Sequence, residues 1–552
     1  MKKTVNIDLS SDRLLAIASD MVDDHDYIGA LKMLNKNAET SFSDEDAYML
    51  YAEIFDDIGL YEKCVNSWFK YIDCTLSDDL GEAYEGLAVA FMNLGNEHHS
   101  AYYYNKLLKD SEGLDAEMRR EIMDSFLVRD KNPLKFVYPP ELADCSDIIA
   151  EGIDKMKQGE YDKAVEEFEA VGEGNKDYIA ARNYIAMCKI ISDKFDEAEE
   201  ECLNLLKIYP DNVQALTTLA AVKTEKKEYD ESKKLAKRLL KLDITDTDEL
   251  YKIATVCCEN KMHAEAYSIF SKLDEEFYYD CSMLYFKAVS AFNSGKYDEC
   301  FSAFDRFLAI SPDAYTAKYR YSEARRMVDE GNIEEMSYFY RLPREEKERT
   351  LQLLAAMTKM NPQSIKKMAR LVDFTDCILW CVNETDLAED DELKTLAAAC
   401  AVKAGMDGLI CDILLNAFLS DQLKVRILTM LGERNEENCF GVVICNLYKR
   451  LFFHRLELGR FKRKNFVLAY ARLTAHFAII DADYSEKFAA ATENAYNKLA
   501  EAGKLNLSSD TDALTAAIFF LSDIKEPKIP RGRIPEFFDT TEKRVAKILG
   551  EL

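Results

Sequence analysis

The sequence predicts an all-α protein: a long α-solenoid of helix hairpins, followed by a further helical region. Three observations carry this. Small residues recur at Ala164, Ala198, Ser232, Ala266 and Cys300, each 34 positions after the last. Neither a helix nor a strand has that period, whereas a helix–turn–helix unit does. Elsewhere apolar residues fall at three and four spacing, the pattern of an amphipathic helix. The 552 residues include only ten prolines and twenty glycines, which favours helices over strand-and-turn architecture.

In chain order, residues 11–112 carry a weaker copy of the pattern. Its small sites are Ala30, Cys64 and Ser100, spaced 34 and 36, with Tyr27 and Tyr61 three residues before the first two. Gly59 and Gly95 sit in the expected interhelix turns. Ala52 and Ala88 lie twelve residues before Cys64 and Ser100, where the later copies have Gly152, Ala186, Ala220, Ala254 and Ala288. Small residues there let the two helices of a hairpin approach closely. These features define residues 1–130 as about three units with a following helix over 115–128. Residues 131–144 are a seam, since the adjacent Pro139 and Pro140 cannot sit inside a helix.

Residues 145–340 form the main array, with five regular units and a degenerate one. Tyr161, Phe195, Tyr229, His263 and Tyr297 each precede the small site by three. The fullest copy is 281–314, with Phe286, Ala288, Gly295, Tyr297, Cys300, Phe304, Phe307 and Pro312. This pattern resembles the tetratricopeptide repeat over about 300 residues. The resemblance implies a right-handed superhelix of antiparallel helix pairs with a concave groove, and a role in binding other proteins.

The pattern fails near Gly331, and Pro343 marks a break. Residues 343–552 are expected to be a helical domain. DELKTLAAACAVKAG begins at Asp391, and DQLKVRILTMLGERN begins at Asp421. Asp421, Val425, Arg426, Leu431 and Gly432 resemble the second helix of a HEAT-like repeat, so 391–433 is expected to be HEAT-like. Helices are expected over 483–502, 509–522 and 540–552, with an extended Pro-containing tail between the last two.

The net charge of −29 is unevenly spread. Residues 1–342 hold 41 Lys+Arg against 69 Asp+Glu, and the remainder 30 against 31. An acidic half repels nucleic acid and anionic membranes. The fifteen cysteines contain no CxxC pair and read as reduced, buried thiols. The first residues lack the apolar core of a signal peptide, and no apolar run is long enough to span a bilayer. A cytoplasmic location is expected.

No P-loop, no G-x-G-x-x-G opening a helix, no H-E-x-x-H and no G-x-S-x-G occurs. His98 and His99 are adjacent, so on a helix they point about 100° apart and cannot share a metal. No catalytic residue, cofactor or metal is expected.

Two surfaces stand out instead. Four residues into each unit lie Ile149, Asn183, Thr217, Tyr251, Tyr285 and Tyr319. The resemblance places this site on the concave face, with Met187, Val289 and Phe292 nearby. Tyr251, Tyr285 and Tyr319 then form a ladder suited to a protein or peptide partner, because tyrosine offers a large ring with a polar tip. The rival reading is that these rings pack between units or against the C-terminal half. Some such repeats hold a chaperone's C-terminal carboxylate with Lys and Asn. Here the matching places carry Ile149, Ile153, Tyr184, Gln214 and Thr218, so that partner is not expected. The second surface is basic. Lys449, Arg450, Arg455, Arg460, Lys462, Arg463 and Lys464 are interleaved with Tyr448, Phe452, Phe453 and Phe461. Three readings stand for it: an anionic partner such as nucleic acid, docking onto the acidic repeats of the same chain, or a half-buried helix pair with basic edges.

Overall fold

A computed structural model describes residues 10–39, 44–110, 119–120, 122, 145–173, 175, 177–369, 372–383, 391–478, 484–524 and 531–552. The Pro-containing seam at 131–144 and most of the helix expected at 115–128 lie outside them. The chain divides into two compact units. One holds residues 129–312 and 317–341; the other holds 1–128, 313–316 and 342–552.

The first of these is the 34-residue array. Its hairpins are Ser146–Lys157 with Tyr161–Glu169, Tyr178–Ile191 with Phe195–Ile208, and Val213–Glu225 with Tyr229–Leu239. Thr247–Glu259 with His263–Glu276, and Cys281–Asn293 with Tyr297–Ile310, complete the five. The helix Tyr315–Glu330 follows, and residues 332–343 are not helical.

The period has a packing cause. Ala164, Ala198, Ser232, Ala266 and Cys300 are all at 0% exposure, as are Ala30, Cys64 and Ser100 in the other unit. A larger side chain at any of them would force the hairpin apart. On the facing helix, a Cβ at Gly152 would run into the Phe168 ring.

The turns repeat as well. Gly159, Asp193, Lys227, Lys261 and Gly295 all have φ between 54° and 78°. This left-handed residue closes the first helix of each pair. The residue after it donates its N–H five positions back, as in Lys194 to Lys189 and Met262 to Cys257. Caps recur too: the side chains of Asn212, Asp246 and Asp280 accept from the N–H groups of Ala215, Glu249 and Met283, satisfying donors that the helix start leaves open.

The other unit contains the hairpins Ser11–Asp23 with Tyr27–Ala38, Glu45–Asp57 with Tyr61–Cys74, and Gly81–Asn93 with Glu97–Asp110. Its C-terminal part has helices Arg344–Lys359, Asp391–Ala404, Asp407–Leu415 and Asp421–Gly432. After a strand pair come Arg463–Phe477, Ser485–Glu501, Thr511–Leu521 and Glu542–Leu549. Of the tail expected to be extended, residues 525–530 lie outside the described residues, and the rest forms a tight turn, Arg531–Arg533, and a short helix, Ile534–Phe537.

The strand pair adds a feature to the helical fold that the sequence pattern did not reveal. β1 (Asn438–Ile444) and β2 (Leu447–Phe453) form an antiparallel hairpin. Cys445 and Asn446 both have positive φ, at 52° and 58°, the geometry of a two-residue primed turn. Val442, Val443 and Ile444 are fully buried. Lys424, also without exposure, donates to Val443 O at 2.6 Å.

Candidate functional site

The face lined by the first helices of the array is covered near its end by the chain itself. After Tyr315–Glu330, residues 332–341 return across the two preceding units as a non-helical segment with bends at Tyr338, Phe339 and Arg341. Three side chains hold its backbone. Asn293 donates Nδ2–H to Met336 O at 2.9 Å and accepts the Met336 N–H at Oδ1 at 2.8 Å. The Tyr285 hydroxyl lies 3.0 Å from Ser337 O and 3.1 Å from Phe339 O, sharing its one proton between them. Arg320 donates to Arg341 O at 2.9 Å.

Side chains of the segment alternate. Met336 and Leu342 are buried, and Tyr338 and Tyr340 are half-buried. Phe339 between the tyrosines is 68% exposed. Tyr340 meets Tyr285 edge-on at 5.0 Å and stacks on Phe307 at 6.0 Å. Tyr338 stacks on His263, its hydroxyl 2.9 Å from Nδ1, and joins the core around Cys258, Met262 and Phe270. Glu335 pairs with Lys261 at 2.7 Å.

Burial disfavours the charged forms of the hydroxyl, thiol and imidazole groups here. It pushes the Tyr285 hydroxyl up to about 12 and raises those of Tyr338 and Cys258 as well. It lowers His263, keeping the imidazole uncharged. Such groups suit peptide dipoles and rings better than an ionic ligand.

Of the sequence-derived groove residues, Tyr285 bonds the segment. Tyr251 is half-buried between Phe270 and Phe286, at 6.4 and 6.0 Å between ring centres. Asn183 is buried and reaches Asn212 at 3.5 Å. Val289 and Phe292 are core residues, and Met187 and Tyr319 are half-buried. Sequence reasoning missed Asn293, His263, Arg320 and the segment itself. The signal was present as Met336-x-Tyr338-x-Tyr340-x-Leu342, an alternation with the period of an extended chain.

The seven basic residues fall on three different elements. Lys449 and Arg450 are on β2, and Arg455, Arg460 and Lys462 follow it in the connector. Arg463 and Lys464 open the next helix. Lys449 donates to Ala478 O at 2.9 Å, and Lys462 to Ser509 Oγ at 3.2 Å. Arg455, Arg460 and Lys464 are exposed.

Within the same unit the hairpin touches the N-terminal helices. Arg450 donates to Asp73 O at 3.1 Å, and the Tyr448 hydroxyl to Asp73 Oδ1 at 2.8 Å. Tyr103 donates to Asn446 O at 2.7 Å, and His99 Nε2 lies 3.0 Å from Cys445 O. The ion pair nearby is Lys70 with Asp412, so there the cation comes from the N-terminal helices. Among the described residues, no cluster of three His, Cys, Asp or Glu side chains could hold a metal. Nor is any helix there long and apolar enough to cross a membrane.

A tetratricopeptide repeat family model matches residues 155–221. The chain carries tetratricopeptide repeats. No curated protein matches it in sequence. Among solved structures, yeast Tom70 is similar at 14% identity, covering 96% of this chain and 95% of its own, with a TM-score of 0.27. Human IFIT1, as a dimer with PPP-AAAA, is 14% identical over 77% of this chain and 91% of its own, with a TM-score of 0.27. The TPR2AB domain of yeast Sti1, in complex with pHSP90, is 16% identical over 49% of this chain and 97% of its own, with a TM-score of 0.19. At TM-scores this low the likenesses carry no functional argument.

Proposed function

We infer that the protein is a non-catalytic interaction scaffold, and that the first-helix face of its tetratricopeptide repeats binds a protein or peptide segment. One observation carries this reading. Asn293 and Tyr285 bond main-chain atoms of a non-helical segment, here the chain's own. Main-chain bonds are one way in which a protein face holds a peptide segment, with pockets for its side chains adding specificity.

The test is recovery of partners from the native cell with the wild-type chain and with Tyr285→Phe/Asn293→Ala. Those changes remove the bonding groups and keep most of the packing. Loss of at least one partner is the expected result. Identical partner sets, with both chains folded by circular dichroism, would remove the assignment.

The contacts of Tyr448 and Arg450 with Asp73 support a second proposal, that the hairpin holds the N-terminal and C-terminal parts of its unit together. This leaves fewer of the basic residues for an anionic partner, which makes nucleic-acid binding through 449–464 the weaker reading.

A further inference from the structure

The segment 332–342 is held as a bound peptide would be. Five of its main-chain groups meet side chains of the array: Met336 N–H and the carbonyls of Met336, Ser337, Phe339 and Arg341. Met336 is buried and Tyr338 and Tyr340 are half-buried against the array, while Phe339 and Arg341 are exposed. The preceding residues, 331–335, are exposed and form the tether that carries the segment back from the last helix.

We propose that residues 332–342 are a resident pseudo-ligand. The same face takes, from another chain, a segment of pattern apolar-x-Tyr-x-Tyr, which displaces the resident one. This rests on reading that face as a binding surface, and it names the ligand class and how access is controlled. The resident segment is tethered at both ends, so its effective concentration is on the order of millimolar. A free peptide of equal intrinsic affinity therefore binds the wild-type chain weakly.

The probe is a fluorescein-labelled peptide of residues 332–343, NIEEMSYFYRLP, measured by anisotropy against the full chain. The variant Tyr338→Ala/Tyr340→Ala weakens the resident segment and leaves the face intact. It is expected to bind the peptide at least about tenfold more tightly than wild type. Adding Asn293→Ala should abolish the gain, and a scrambled peptide should not bind. Equal affinity for variant and wild type, or equal binding of the scrambled peptide, overturns the proposal.

A second measurement needs no variant. With the peptide at about millimolar concentration, backbone amides of 336–341 in the wild-type chain should exchange hydrogen faster; unchanged exchange overturns the proposal. The two readings separate cleanly. If the peptide fails both measurements while Tyr285→Phe/Asn293→Ala still loses partners, the pseudo-ligand falls and the binding surface stands. If partner recovery is also unaffected, both fall.

Discussion

The repeats differ from one another at one residue whose conformation is the same in all of them. Gly159 and Gly295 occupy the left-handed turn position in two units, while Asp193, Lys227 and Lys261 occupy it in the three between. A residue with a Cβ pays about 1 kcal/mol or more for that conformation, so these three turns are strained by choice of residue. Lys227 is exposed and has φ of 61°. Lys227→Gly is expected to stabilise the array by about 0.5–1 kcal/mol, read as a rise in the urea midpoint. Gly159→Ala, as the reverse change, should lower it by a similar amount. No change in either variant would mean that the turn conformation relaxes freely. This position was partly legible in the sequence: Gly59 and Gly95 marked it, whereas a lysine or aspartate at the same place gave no signal of its own.

At the scale of elements, the β-hairpin shows how a close approach constrains a strand. Gly441 pairs with Arg450 across the hairpin. A Cβ built on it would collide with the Asp73 carboxylate and come within 3.1 Å of the Tyr448 ring. Gly441→Ala is therefore expected to destabilise by about 1–3 kcal/mol, as overpacking does. The double variant with Asp73→Ala should recover part of the loss, which chemical unfolding would measure as a coupling between the two sites. Additive losses would show that the two do not press on each other.

The hairpin was hidden for a physical reason. Its turn is Cys445-Asn446, without the glycine that usually advertises a primed turn, and its strands run into a basic stretch that reads equally well as a helix edge. Helix pairs were legible because burial repeats with the unit, down to eight small sites without exposed surface. The segment at 332–342 was hidden because its period of two begins where the period of 34 stops. Of the tyrosine ladder, Tyr285 bonds the chain's own segment, and a shared repeat position did not give Tyr251 the same surroundings. Tyr251 has Phe270 and Phe286 beside it, whereas Tyr285 has an open backbone to meet.

At the scale of the molecule, sequence order and compact units do not coincide. Residues 1–128 share a unit with 342–552, and the array lies between them in the chain. Charge counting could not find this pairing. Tyrosine hydroxyls and backbone carbonyls make much of the contact, and Lys70 with Asp412 runs against the overall charge bias. Fragments 1–130 and 343–552, mixed as separate polypeptides, are accordingly expected to co-elute on size exclusion. The second fragment alone should melt at a lower temperature than in the mixture. Independent elution with an unchanged melting temperature would mean that each part is stable without the other.

The segment that crosses the repeats is also close to them along the chain. Asn293 meets Met336 43 residues later, and Tyr285 meets Phe339 54 residues later. During synthesis the earlier part of a chain folds first. The ribosome therefore delivers residues 332–341 soon after the helices they pack on, while residues 343–552 are still to be made. That stretch of the array can close on its own chain without waiting for the C-terminal helices.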